Sequence, residues 1–199
     1  MKKPAVLLAV LSFIILSGFT PQTGIKPCYL SLKKAGDLKA GTADRLLADA
    51  DKTRMLVTEA GEVPITVTEG YRIIYNNKKK APFVNLIVEL SKPENYEQDK
   101  KNVLANLSYL NAQTTGMETT GKLLELDYNG YKAYGLSRAG ISEGETLGTF
   151  VIFPGDNMII YIYFNNIEPA KGHFKNAAEY QGYRNDFIGQ YTAHLAKCK

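Results

Sequence analysis

The chain has 199 residues, and its 24 Lys and Arg against 20 Asp and Glu give a formal net charge of +4. That length suits one domain with a substantial hydrophobic core. Two of the positive charges, Lys2 and Lys3, lie at the extreme N-terminus, and the small excess that remains argues against nucleic acid or an anionic membrane surface as a partner.

The N-terminus has the pattern of a secretory signal peptide over residues 1–20. The two lysines are followed by an apolar run over residues 5–15, interrupted only by Ser12, and then by small and turn-forming residues. The apolar run is shorter than the roughly 20 residues that a membrane-spanning helix needs. We therefore expect an exported bacterial protein, periplasmic or secreted, with no integral membrane segment once the leader is removed. The pattern leaves the cleavage position open.

Residues 21–50 are predicted to form a loosely ordered segment that leads into the domain. Within this segment, Thr42 suits the cap of a short helix over residues 43–50, and Asp44 would lie in its first turn. Residues 51–199 are then predicted to form a single α+β domain.

Strand patterns dominate the next stretch of the chain. Alternating or continuous apolar residues predict strands at residues 55–58, 65–68, 71–75 and 83–90, with turn signals between them. A long helix is predicted next, because Pro93 suits a first helical turn and apolar residues then recur at helical spacing. These residues are Tyr96, Val103, Leu104, Leu107 and Leu110.

Two hairpins and a second long helix complete the chain. Asn129-Gly130, the strongest short hairpin signal, joins strands predicted over residues 122–128 and 131–137. Turn-forming residues at 154–157 join strands predicted over 146–153 and 158–164. The helix predicted over 176–196 has an inner face and rim made of Ala177, Tyr180, Arg184, Phe187, Ile188, Tyr191 and Leu195. This element order predicts an α+β fold in which two long helices pack on a mostly antiparallel sheet.

The two cysteines, Cys28 and Cys198, lie near opposite ends of the mature chain. An even number of cysteines in an exported chain favours a disulfide between them, and the alternative is two unpaired thiols in frayed ends. We expect no metal site, because a zinc site needs about four ligands and no closely spaced Cys or His partners are evident.

No motif identifies a catalytic residue, and no cofactor is expected. Residues 140–144 match G-x-S-x-G around Ser142, but they lie between two predicted strands, whereas a hydrolase elbow leads from a strand into a helix. Residues 116–122 approach a phosphate-binding loop, but Leu123 stands where Ser or Thr would bind Mg²⁺. Neither His173 nor His194 has an acid partner at a recognisable spacing, and His194 falls in the last turn of the final helix, where a cation complements the dipole.

Tyrosine content is a positive indication of a binding surface. Tyr128, Tyr131 and Tyr134 cluster around the first predicted hairpin, and the amphipathic rings of tyrosine suit interfaces. The alternative is that these rings pack across strands and between the sheet and the helices.

Several local sequences carry a resemblance to a known family. They are EGYRIIY at residues 69–75 as an early strand, the strand at 83–90 with the long helix after it, and the hairpin sequence DYNGYKA at 127–133. Together with the final strand pair and helix, they resemble the PsbP-like superfamily, named after an extrinsic subunit of photosystem II. The resemblance implies an α/β/α sandwich, exported bacterial relatives and a binding or scaffolding role without shared catalytic residues.

Three functions stay open at this point. The first is a non-enzymatic exported domain that binds or scaffolds an unidentified protein, peptide or small ligand, and the lack of a catalytic constellation favours it. The second is a serine hydrolase that uses Ser142. The third is a purely structural component of the cell envelope.

Overall fold

The computed structural model describes residues 24–46, 52–77, 82–113, 122–137, 146–165 and 174–198. The leader predicted over residues 1–20 lies outside these ranges. A short 3₁₀ helix at Pro27–Leu30 precedes the regular elements. The strands and helices are β1 (Lys34–Ala35), β2 (Leu38–Arg45), β3 (Lys52–Thr58), β4 (Gly61–Asn76), β5 (Phe83–Ser91), α1 (Tyr96–Gln113), β6 (Leu124–Tyr128), β7 (Tyr131–Ser137), β8 (Thr146–Gly155), β9 (Met158–Asn165) and α2 (Ala177–Leu195).

One antiparallel sheet forms the centre of the fold. Its strands follow the order β1-β2-β4-β5-β9-β8-β7-β6, and β3 pairs with the other half of β4, off this path. Each strand pair in the described residues is antiparallel. The predicted α+β fold with a mostly antiparallel sheet and two long helices is therefore confirmed.

The prediction of a short helix over residues 43–50 is wrong for residues 43–45, which form part of a strand. β2 continues through Arg45, with Ala43 opposite Ile73 and Arg45 opposite Tyr71 on β4. A helix of eight residues is marginal in water, and pairing with a long neighbouring strand outweighs the local helical preference. Residues 47–51 lie outside the described ranges. The preceding residues are also more ordered than predicted, because Ile25, Tyr29 and Leu38 are buried in the core.

The long strand β4 replaces two shorter strands that the sequence predicts on either side of Glu69. Its register with β5 shifts between Val67 and Glu69, which marks a β-bulge. Because a bulge adds one residue to one strand, it reverses the faces to which odd and even residues point. Ile65, before the bulge, therefore packs with α1, whereas Ile73 and Tyr75, after it, pack with α2.

The two helices lie against opposite faces of the sheet. Val103 and Leu107 of α1 pack with Ile159 of β9, and Phe187 of α2 packs with Ile160 on the other face of the same strand. All residues predicted for the inner face of α2 are buried except Ala177, and Thr192 joins them. On α1, Leu110 is 41% exposed, so it departs from the predicted apolar stripe. Among the helices that the structure describes, none has the length and apolar character needed to cross a bilayer.

Both predicted hairpins form, and each turns on two residues with positive φ. Asn129 and Gly130 have φ of 51° and 79° between β6 and β7. Asp156 and Asn157 have φ of 51° and 58° between β8 and β9. Two-residue turns of this kind match the right-handed twist of the strands that they join. The second turn is shorter than the predicted four residues because Gly155 already pairs with Met158.

Candidate functional site

A cleft of about 770 Å³ lies at one end of the sheet. Gly24, Lys26 and Tyr29 of the N-terminal segment form one wall. The remaining walls come from the end of β2, the bulge of β4, the end of β5 with the residues that follow it, and the β8–β9 turn. The chain therefore builds this N-terminal cleft from segments that are remote in sequence.

Local backbone features place these walls. The bulge in β4 turns Thr68 and Glu69 toward the cleft, and the tight β8–β9 turn presents Asp156 beside it. The hydroxyl of Tyr96, at the start of α1, donates to the carbonyl of Met158 over 3.2 Å and anchors the helix beneath the turn. Burial raises the pKa of Tyr96 to about 12.

An ion pair connects the N-terminal wall to the β8–β9 turn. Lys26 Nζ lies 2.7 Å from Asp156 Oδ2, and its hydrogen bond lowers the pKa of the Asp156 carboxyl. The hydroxyl of Tyr29 donates to the same oxygen over 3.4 Å. Burial first, and then the charge of Asp156, raise the pKa of Tyr29 to about 12. Both groups are therefore in their usual ionisation states at neutral pH.

The second acid of the cleft is also occupied within the chain. Glu69 Oε2 accepts a hydrogen bond of 2.9 Å from the backbone N–H of Ile25, which fixes the N-terminal segment against β4. The carboxylate also accepts a hydrogen bond from the hydroxyl of Tyr71, and this bond raises the pKa of Tyr71. Glu69 thus has a structural role in holding the cleft closed on one side.

Arg45, at the end of β2, is the remaining charged group of the lining. Its side chain is exposed, and it has no ion pair with another of the described residues. Leu90, Pro93 and Met158 supply apolar surface in the same cleft. An exposed cation beside apolar side chains can bind a molecule with an anionic group and an apolar part.

The described lining does not assemble a nucleophile with a base. Ser91 is the one serine among the described lining residues, and its hydroxyl donates to the buried carboxylate of Asp99. That carboxylate also accepts from the backbone N–H of Thr66 over 3.2 Å. A serine nucleophile needs a base that is itself held by a third group, usually a histidine. No histidine or cysteine lines the described part of the cleft.

The three predicted binding tyrosines do not form one surface. Tyr131 is buried against the core on the α2 side, and Tyr128, opposite it across the hairpin, donates to Asn185 of α2 over 2.6 Å. Tyr134 belongs to the other face of the sheet, where its ring packs on that of Phe153 at 6.1 Å. The cross-strand and helix-packing interpretation fits these contacts.

The predicted disulfide between Cys28 and Cys198 is present, with the two Cα atoms 5.7 Å apart. His194 lies beside it, and one ring nitrogen and the two sulfur atoms are all within 4.8 Å of one another. Sequence reasoning missed this neighbour. The spacing H-x₃-C from His194 to Cys198 is a signal that could have found it, because metal-binding motifs use ligands three to five residues apart.

Several predicted positions lie outside the described residues. They include Ser142 and residues 140–144, the phosphate-loop-like sequence at 116–121, and His173. The chain matches no protein-family model, no curated protein and no solved structure.

Proposed function

We propose that this protein is an exported, non-enzymatic binding domain that holds a small amphipathic anion, such as an alkyl carboxylate, in the N-terminal cleft. The cleft itself is the observation that carries the proposal. Its volume of about 770 Å³ falls within the roughly 300–1,000 Å³ typical of sites for small molecules.

The ionic contacts within the cleft support an anionic ligand. Lys26 is neutralised by Asp156, and Glu69 is held by the Ile25 amide, so each of these groups already has a partner. Among the described lining residues, Arg45 is then the charged group left for a ligand. A guanidinium recognises carboxylates through paired hydrogen bonds, which makes an anionic head group the best complement.

The apolar part of the lining supports an alkyl body on that ligand. Leu90 is half-buried and Met158 is buried at the base of the cleft, next to Pro93. Burying an apolar chain against them adds about 25 cal/mol per Å² removed from water. A purely polar anion would leave this surface unused.

Export and the PsbP-like family are parts of the same proposal. The leader pattern and the disulfide support an oxidising compartment outside the cytosol, periplasmic or secreted. Helices on both faces of an antiparallel sheet support a PsbP-like sandwich. A binding role without catalytic residues agrees with the lining of the cleft.

Calorimetric titration with three probes that share an eight-carbon chain tests this function. Octanoate should bind, octan-1-ol should bind more weakly, and octylammonium should bind least. Arg45→Gln should weaken octanoate binding by about tenfold and leave octan-1-ol binding unchanged. A hydrogen bond to a charged group contributes about 1.5–3 kcal/mol, and the exposure of Arg45 to solvent reduces that contribution. Lys132→Gln, which removes an exposed cation on β7, is the matched control and should bind as the wild type does.

Two outcomes would overturn the proposal in different ways. Equal binding of the three probes would remove the anionic specificity. No binding of any of them would favour the purely structural alternative.

A further inference from the structure

We propose that the reduced form of this protein binds one Zn²⁺ ion through the thiolates of Cys28 and Cys198 and the imidazole of His194. The three side chains each offer one ligand atom, and these atoms lie within 4.8 Å of one another. Two cysteines and one histidine, with water at the fourth position, form an established zinc ligand set in proteins. The proposal is independent of the N-terminal cleft and its ligand.

The metal and the disulfide exclude each other, because each sulfur takes part in only one of the two bonds. A dithiol reductant opens the disulfide to two cysteine thiols and is itself oxidised to a disulfide. Each thiol then loses a proton as Zn²⁺ binds, so two protons are released for each ion. Thiol–disulfide exchange with an oxidised partner reverses the first step and releases the ion.

Contacts other than the disulfide hold the ligands together. The hydroxyl of Tyr191 on α2 donates to the carbonyl of Tyr29 over 3.0 Å, and the backbone N–H of Gly36 donates to Gln190 over 2.9 Å. The backbone N–H of Cys198 donates to the carbonyl of Leu195 over 2.9 Å, at the end of α2. Reduction therefore leaves the 3₁₀ helix docked on α2, with both cysteines near their positions.

Hydrogen bonds to the N-terminal segment fix the orientation of the His194 ring. Its Nε2 lies 2.8 Å from the carbonyl oxygen of Cys28, and a carbonyl oxygen only accepts, so Nε2 carries the proton. A metal bound to the other ring nitrogen, Nδ1, would leave this hydrogen bond in place. Metal-binding histidines commonly use their second nitrogen in this way, to donate to a carbonyl or a carboxylate. Ser31, 3.2 Å from the same Nε2, adds a second contact.

The site is accessible to an ion in solution. Cys28, His194 and Cys198 are each half-buried, so solvent and a dissolved ion can reach them. Partial exposure also admits the reductant to the disulfide. Metal affinity should fall as the pH falls, because protons compete for both thiolates.

A metal titration of the full chain tests the proposal. The protein is purified oxidised, reduced with a phosphine, freed of excess reductant and titrated with Co²⁺, which reports thiolate ligands by charge-transfer absorption, and then with Zn²⁺. Reduced wild type should bind one ion per chain, and the oxidised protein should bind none. His194→Ala should weaken Zn²⁺ binding by at least about tenfold, because even outer-shell changes at metal sites cost about 10- to 100-fold.

His173→Ala is the matched control, since His173 is the other histidine of the chain, and it should bind as the wild type does. His194→Ala keeps both cysteines, so it can be purified oxidised and then reduced. Circular dichroism of each reduced protein reports whether the fold persists. Equal affinities of wild type and His194→Ala, no thiolate band with Co²⁺, or unfolding on reduction would each overturn the proposal.

Discussion

Arg54 on β3 and Glu89 on β5 form an ion pair of 2.7 Å that reaches across the intervening strand β4. The Glu89 side chain is 8% exposed and that of Arg54 is 42% exposed. The guanidinium of Arg54 also donates to the hydroxyl of Tyr161 over 3.0 Å and lies over its ring. Burial raises the pKa of Glu89, and the charge of Arg54 opposes that rise.

The first prediction concerns loss of this cation. Arg54→Met should destabilise the protein by about 2 kcal/mol at neutral pH, because it leaves a buried carboxylate unpaired, with Arg54's own exposure reducing the full effect. The variant removes an opposing charge and so raises the pKa of Glu89 further. When the pKa of Glu89 is higher in the folded state than in the unfolded state, where it is about 4.3, the protonated carboxyl stabilises the fold. This contribution is fully present below the unfolded pKa and is lost as the pH rises through the folded pKa. Urea unfolding at pH 4.5 and at pH 7.5 measures the difference.

The double variant Arg54→Met with Glu89→Gln is the control for that prediction. It removes both charges, so its destabilisation should be smaller than that of Arg54→Met at pH 7.5 and nearly independent of pH. An equal loss of stability at the two pH values in Arg54→Met would contradict the assignment of the effect to the Glu89 carboxylate.

The second prediction concerns the disulfide. Reduction of Cys28–Cys198 should lower the free energy of unfolding by about 2–4 kcal/mol, because the bond closes nearly the whole chain and restricts the unfolded state. The core should nevertheless stay folded. Urea unfolding with and without a phosphine reductant, in the presence of a chelator, measures the change.

A variant with both cysteines replaced by serine is the control, and its stability should not respond to the reductant. Intact mass after alkylation without reductant gives a second measurement. Two alkylated thiols in the untreated protein would mean that the bond does not form in solution.

Features determined by nearby residues could be predicted from the sequence. Asn129-Gly130 supplies the positive φ values that its turn requires, and the inner face of α2 follows from spacing along one helix. The strand conformation of residues 43–45 could not be predicted from the sequence. Ala43 takes that conformation because it pairs with Ile73, on a distant part of the chain. Local propensity carries no information about that partner.

The candidate sites depended even more on tertiary structure. Lys26 meets Asp156 across 130 residues of sequence, and His194 meets Cys28 across 166. The first contact leaves no motif at either end, and the second leaves only the H-x₃-C spacing from His194 to Cys198. The tyrosines of the first hairpin are close in sequence, but alternation along β7 sends Tyr131 and Tyr134 to opposite faces.

The third prediction uses two glycines with opposite surroundings. A Cβ at Gly135 on β7 would meet the carbonyl oxygen of Thr149 and the ring of Phe150, whereas one at Gly182 on α2 would meet nothing within 4 Å. Gly135→Ala should therefore destabilise the protein by about 1–3 kcal/mol through overpacking. Gly182→Ala should stabilise it by about 0.5–1 kcal/mol, because alanine favours a helix over glycine. Urea unfolding of the two variants side by side measures both signs, and a stabilising Gly135→Ala would contradict the packing of β7 on β8.

The fourth prediction concerns alkaline pH. Burial raises the pKa of Tyr29 and of Tyr96 to about 12, and raises that of the fully buried Tyr191 well above its usual value. These groups keep their protons to a higher pH in the folded state than in the unfolded state. The stability that they contribute to the fold is therefore fully present below about pH 10 and is lost as the pH rises through 12. Tyrosinate absorbance should therefore rise in two stages, and the second stage should coincide with unfolding seen by circular dichroism.

Tyr29→Phe isolates one of these contributions. The variant loses only a hydrogen bond of 3.4 Å to Asp156, so its stability at pH 7 should fall by no more than about 1 kcal/mol. Between pH 10 and 12, its stability should decline less steeply than that of the wild type, by up to about 1.4 kcal/mol per pH unit for the one proton removed. Identical slopes in the two proteins would mean that Tyr29 titrates as freely as an exposed tyrosine, and the N-terminal wall of the cleft would then not be packed as described.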